Sequence, residues 1–264
     1  MKTFQKYWAI FQITLVNSLA YAGELIGRSL LILPFMWIYF QLWTVTFRAA
    51  GTDSLNGLTL YSTMWYLMMA ETIELSRPAL ARTISDNVKD GSIAYLLNKP
   101  YDFLLYQFSN SIGETIFRAL MNALFGGIIV WWLVGPSPGL MSWLFAILAL
   151  LGTWILNFCI TCLIGLSAFL VEDVAPFVWI YQKFIFILGG FLIPLDFYPP
   201  WLQGIAKALP FAAMIYGPSR LFVSPTIELL TNVLLLQFTW IAVLGTSLVF
   251  AYRRSVMYLT VNGG

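Results

Sequence analysis

The sequence predicts an all-α integral membrane protein: six transmembrane helices preceded by an interfacial amphipathic helix. Three observations carry this. Of 264 residues, 60% are hydrophobic and only 10% are charged, where soluble domains average about 45–50% and about 25%. The mean hydropathy is +0.81. Apolar runs long enough to cross a hydrocarbon core of about 30 Å recur along the chain, separated by short polar segments. So few charges cannot cover a water-soluble globule of this size, whereas lipid accepts apolar faces.

Residues 3–22 read as a helix with one apolar line, Phe4, Trp8, Phe11, Leu15 and Leu19, at three- and four-residue spacing. Gln5, Lys6, Gln12 and Asn17 oppose it, the pattern of a helix lying in the membrane interface. The interruptions also exclude a signal peptide, because no short apolar block ends in a small-residue cleavage site. The first span is about 24–47, with Glu24 and Arg28 spaced to pair at its mouth and Pro34 set for a kink. The second is about 58–75. A polar segment, 77–102, leads to a third span, 103–134, which as one helix measures roughly 48 Å. Its first half, with Gln107, Asn110, Glu114 and Arg118, is therefore expected to project into water or a protein groove. The fourth span is about 143–170, the fifth about 175–193 and the sixth about 229–252. A Pro- and aromatic-rich connection, 194–225, joins the last two.

Lys2, Lys6, Arg77, Arg82, Lys89, Lys99, Arg253 and Arg254 fall on one side when six spans are counted. Arg48, Lys207 and Arg220 fall on the other. The basic excess marks the first side as cytoplasmic and places both termini there, in a cell (inner) membrane.

Several functions are excluded by composition. The net charge is +2, with no basic run to track nucleic acid. Histidine is absent, which removes His-based acid–base catalysis and histidine metal sites. Cys159 and Cys162 lie inside an apolar run and read as two small apolar side chains rather than a redox or zinc motif. No phosphate-binding G-x-x-x-x-G-K-[ST] loop occurs.

Two polar segments carry the functional candidates. On the cytoplasmic side Gly91 permits a sharp turn, and Ile93, Leu96 and Leu97 give a short helix one apolar face that Pro100 stops. Asp86, Lys89 and Asp90 stand around it. On the outer side Pro194, Pro199, Pro200 and Pro210 forbid one continuous helix. Phe197, Tyr198 and Trp201 suit the aromatic belt, and 201–209 has the makings of a short helix. The segments read Ser85-Asp86-Asn87-Val88-Lys89-Asp90-Gly91-Ser92-Ile93-Ala94-Tyr95-Leu96-Leu97-Asn98-Lys99-Pro100 and Gly189-Gly190-Phe191-Leu192-Ile193-Pro194-Leu195-Asp196-Phe197-Tyr198-Pro199-Pro200-Trp201-Leu202, then Leu209-Pro210-Phe211.

Both segments resemble the ABC-2 type permease family, membrane subunits of ATP-binding-cassette exporters. There an acidic stretch, a Gly-Ser/Thr pair, a Leu-Leu pair and a proline precede the third span. A Gly…Pro-Leu…Pro-Trp-Leu…Leu-Pro pattern follows the fifth. The usual glutamate ahead of the glycine is here Asp86 or Asp90. The resemblance extends through the layout to nearly the whole chain. It implies a non-enzymatic permease of an exporter, as a homodimer or with a paralogous permease subunit; the Phe, Trp, Tyr and Met of the spans suit an apolar or amphiphilic substrate, or simply face lipid. It further implies that ATP and Mg sit on a separate ATPase subunit and that this chain binds no cofactor. Asp86, Lys89, Asp90, Gly91, Ile93, Leu96 and Leu97 would then form a coupling helix seated on that ATPase. Pro194, Phe197, Tyr198 and Trp201 would belong to a re-entrant hairpin forming an outer gate.

Glu71, Glu74 and Lys183 are the candidates for a translocation path. Lys183 lies ten residues after Asp173, roughly 15 Å further along one helix, where a charge must face protein or water. It either meets an anionic cargo or Glu71 or Glu74, or snorkels to the inner interface. The alternative function is an ion-coupled secondary transporter, a class that often shows internal repeats; none is evident between residues 1–130 and 131–264.

Overall fold

The computed structural model describes residues 2–20 and 22–262, which are almost entirely helical. Helix α1 (Lys2–Ala20) is followed by α2 (Ala22–Ser29) and α3 (Ile32–Ala50). The break at Leu30–Leu31 has a local cause. Pro34 has no N–H to give the Leu30 carbonyl, and Leu33 N–H takes that carbonyl instead at 3.1 Å. Pro34 thus falls in the first turn of α3, where it is tolerated, and the expected kink becomes two rods.

A two-residue hairpin, β1 (Ser54–Leu55) and β2 (Leu58–Thr59), follows α3. Asn56 and Gly57 both take positive φ at its tip, the mirror-image turn that Asn-Gly favours. Thr59 caps α4 (Leu60–Leu75) by accepting the Ser62 N–H at 3.2 Å. Residues 63–73 of α4 are buried without interruption, so this 16-residue helix is sheathed on every face. Its sheath is α3, α7 and α12.

The 77–102 segment folds as α5 (Leu80–Lys89) and α6 (Ser92–Leu97), hinged at Gly91 with φ 78°. Helix α7 (Phe103–Val134) starts on an Asp102 cap. Its polar first half lies in a groove made by α1, which runs beside it in the same direction. Tyr7 Oη accepts the Asp102 N–H at 2.9 Å, and further along Thr14 Oγ1 donates to Asn110 Oδ1 at 2.8 Å. Gly113 lets the two helices close, since a Cβ there would sit 2.9 Å from Thr14 Cβ. The side of α1 turned to α7 is thus small and polar, with Thr14 and Ser18 buried, while Phe4, Trp8 and Leu19 of its apolar line are exposed.

Helix α8 (Leu140–Leu166) carries the free, buried Cys159 and Cys162 and ends in a 3₁₀ turn, Ser167–Phe169. Helix α9 (Ala175–Leu188) leads to a second 3₁₀ turn, Leu195–Phe197. Three short helices follow: α10 (Pro200–Ala208), α11 (Pro210–Met214) and α12 (Tyr216–Val223). Helix α13 (Ile227–Asn262) packs along α8. Among the described residues, four helical segments, Gly23–Ala50, Phe103–Val134, Leu140–Phe169 and Ile227–Met257, are long and apolar enough to cross a membrane.

The molecule has two polar ends. At one, Lys6 Nζ donates to Pro100 O at 2.6 Å, Lys89 pairs with Asp173 at 3.7 Å and Tyr252 stacks on Phe103. At the other, Asn56 Nδ2 reaches Asp196 O at 2.9 Å and Tyr61 Oη reaches Pro136 O at 2.9 Å.

Gln237 ties α13 to its neighbours from inside the apolar core. Its Nε2 donates to Ala149 O at 2.8 Å and Ala213 O at 2.9 Å. Gly152 makes room for it, as a Cβ there would lie 2.2 Å from Gln237 Oε1. Gly152→Ala is expected to push Gln237 off both carbonyls, costing about 1–3 kcal/mol for each buried group left unpaired. Thermal unfolding in detergent checks this, with Gln237→Leu in the Gly152→Ala background recovering part of the loss.

Candidate functional site

The largest concentration of buried charge lies toward the end that holds Lys6, Lys89 and Pro100. A cavity of about 400 Å³ opens between α2, the C-terminus of α4, the start of α5, α7, α8 and α9. Arg77, just past α4, is nearly buried, pairs with Glu74 and lies over the Tyr181 ring at 5.0 Å. Arg118 on α7 pairs with Glu114 at 3.0 Å and donates to Arg77 O at 3.4 Å. Tyr181 Oη donates to Asn157 Oδ1 at 3.0 Å, linking α9 to α8. Arg28, Arg82, Asn122, Thr161 and Gln182 add to the polar lining. Arg77 Nη1, Arg118 Nε, Glu74 Oε2 and Asn122 Oδ1 are buried without a hydrogen-bond partner among the described residues. All four belong to residues that line the cavity, so the unused donors and acceptors lie within its wall.

The sequence candidates for a path divide here. Glu74 lines this cavity. Glu71 does not; it is buried one turn earlier and accepts from Tyr39 Oη at 3.1 Å. Lys183 meets neither acid. Its ammonium lies over the rings of Trp179 at 5.1 Å and Phe186 at 5.3 Å, so of the readings open to it the pairing with Glu71 or Glu74 is not made, and cation–π contacts on its own helix stand there instead. The reason is helical phase: Tyr181, two residues earlier, is the α9 side chain turned to Arg77.

The α5–α6 elbow also differs from expectation. Ile93 is 1% exposed, packed in a cluster with Leu80, Ile84, Phe103 and Phe158, and Leu96 and Leu97 rest against the same cluster. The apolar face of α6 therefore points into its own chain, not outward to a partner's groove. What α6 presents outward is Ala94, Tyr95 and Asn98, with Tyr95 68% exposed. Asp86, Lys89, Asp90 and Gly91 are exposed beside it. Ser92, through its side chain and its backbone N–H, holds the Asp90 carboxyl below the usual carboxylate range. That keeps it ionised and fixes the hinge.

The outer candidates form a buttress. Pro194 is buried, Phe197 packs on Trp43 at 4.9 Å between ring centroids, and Tyr198 Oη donates to Ile187 O at 2.7 Å. Trp201 on α10 is 68% exposed. The charge at this end is Asp196, which pairs with Arg220 at 3.6 Å and accepts from Tyr216 Oη at 3.0 Å. Neither Asp196 nor Arg220 stands out by spacing, as 24 positions separate them.

A helical bundle with two polar ends and several helices of membrane length defines a multi-pass membrane protein. The family model described as ABC-2 family transporter protein matches residues 12–263, nearly the whole length, and the chain belongs to that family. Its membrane permeases work with an ATPase subunit and are not themselves the ATPase. No curated protein matches the sequence.

Proposed function

We propose that the chain is the permease subunit of an ATP-driven exporter that moves an apolar or amphiphilic cargo. ATP and Mg belong to a separate ATPase subunit, and the permease works as a homodimer or beside a paralogue. The chain crosses the inner membrane six times, through α2–α3, α4, α7, α8, α9 and α13, with both termini in the cytoplasm. Helix α1 lies at the inner interface with the first half of α7. The α10–α12 region re-enters the outer leaflet, with Pro194, Phe197, Tyr198 and Trp201 at the gate. The ion-coupled alternative has no observation in its favour.

The observation that carries the reading is the α5–α6 elbow. One face is anchored in the chain's own core through Ile84 and Ile93. The other is exposed at Tyr95, with Asp86, Lys89 and Asp90 beside it. A push on the outer face is thereby transmitted to α8, against which α5 packs. A short helix exposed on one side and anchored on the other is a mechanical lever.

Purified alone, the chain is expected to hydrolyse no ATP. Tyr95→Asp removes the ring under Lys99 and puts a carboxylate into the docking face, a cost of several kcal/mol once desolvated. It is expected to abolish co-purification with the ATPase subunit while membrane insertion and thermal stability are retained. Substitutions at Leu96 and Leu97 are a poorer test, because they also strike the chain's own core. Undiminished ATPase binding by the Tyr95→Asp protein would overturn this face as the dock.

A further inference from the structure

The chemistry of the inner cavity is specific enough to name a ligand class. Arg28, Arg77, Arg82 and Arg118 line it, and Glu74 is the sole carboxylate doing so among the described residues. Glu24 and Glu114 pair with Arg28 and Arg118 from behind. Arg82, exposed at the start of α5, has no ion pair among the described residues. The lining thus keeps an uncompensated positive charge, and two buried guanidinium N–H groups, on Arg77 and Arg118, lack acceptors. A phosphate offers acceptor oxygens that match guanidinium donors. Asn122 Oδ1 and Glu74 Oε2 in the same cavity lack donors; Asn122 itself is 1% exposed. Phosphate supplies no such donors, but hydroxyls next to one do. The wall also carries Ser29, Asn157, Thr161 and Gln182 beside the apolar Leu25, Leu75, Ile164 and Val178, and Leu31, which lines it too, is 54% exposed.

We propose that this cavity binds the phosphate-bearing, hydroxylated headgroup of an amphiphile, whose chains run out past Leu31 into lipid. Basic pockets between membrane helices suit anionic headgroups on general electrostatic grounds. As a cargo assignment the proposal rests on the transport role above. As a binding site it is tested without the ATPase, so its failure and that of the docking reading are separate results.

The test uses the purified full chain in detergent and three probes: dioctanoyl phosphatidylglycerol, dioctanoyl phosphatidylcholine and inorganic phosphate. Binding is followed by microscale thermophoresis. Phosphatidylglycerol is expected to bind at least about tenfold more tightly than phosphatidylcholine, the scale of one charge-assisted hydrogen bond. Arg118→Gln and Arg82→Gln are each expected to weaken it about tenfold. Arg82 makes no bond that the fold needs, so its substitution keeps the test valid if Arg118→Gln does not fold. Glu74→Gln is expected to move affinity for the anionic lipid in the opposite direction, which a merely structural loss would not do. Equal affinity for the two lipids, or phosphatidylglycerol binding unchanged in Arg82→Gln, overturns the proposal. So does inorganic phosphate competing as well as the lipid, which would make this a site for a free anion.

Discussion

Gly165→Val is expected to cost about 1–3 kcal/mol in stability, the usual range for overpacking a close contact, and to uncouple the chain from its ATPase. A Cβ at Gly165 would lie 2.8 Å from Ile84 Cβ and 3.2 Å from the Ala81 carbonyl oxygen. The second of these is backbone and cannot rotate away. The substitution must therefore push α5 off α8, and α5 carries α6. Thermal unfolding reads the first effect. Cargo-stimulated ATP turnover in the assembled complex reads the second, and it should fall more steeply than ATPase binding, since Tyr95 stays exposed. Ile84→Gly in the same background removes the clashing Cβ and should restore part of the coupling. Normal turnover by the Gly165→Val complex would mean that the elbow transmits nothing through α8.

Arg220→Met is expected to destabilise the end that holds Asn56 and Asp196 by about 3–5 kcal/mol, because it strands the shielded Asp196 carboxylate. Both side chains are mostly shielded, at 17% and 12% exposure, and Asp196 Oδ2 already lacks a partner among the described residues. Asp196→Asn combined with Arg220→Met removes both charges and should recover most of the loss. A double-mutant cycle by chemical denaturation in micelles measures the difference. A single mutant as stable as the double would show that water already solvates the pair.

What the sequence disclosed was an all-helical membrane protein and several of the places where its helices break. Proline and glycine mark most of the breaks, at Gly91, Pro100, Gly135, Pro199 and Pro210, and their effect is local. The Asn56-Gly57 turn carries a local signal of the same kind, in two residues with positive φ. Direction within the fold was harder. Ile93 and Leu97 show an apolar face, but an apolar face is equally apt for the chain's own core or for a partner, and only the packing of Phe103 and Leu80 decides. The cavity was hidden for another reason. Its charges come from Arg28, Glu74, Arg77 and Arg118 on separate elements, and pairwise spacing says nothing about residues brought together by tertiary structure. Gln237 was invisible because one polar residue in a long apolar helix leaves no period.

The all-round burial of α4 bears on how the chain is made. Trp65 packs edge-on against Phe222, and Tyr66 approaches Tyr216, so part of the sheath is synthesised some 150 positions later. A ribosome working N- to C-terminally delivers α4 long before α12 exists. Until then its aromatic flank must rest in lipid or be held by an insertion factor, with the Tyr66 hydroxyl still lacking the Gly190 carbonyl that it will find at 2.7 Å. Chains cut short before α12 would leave that flank open, a mark by which membrane quality control can tell an unfinished copy from a finished one.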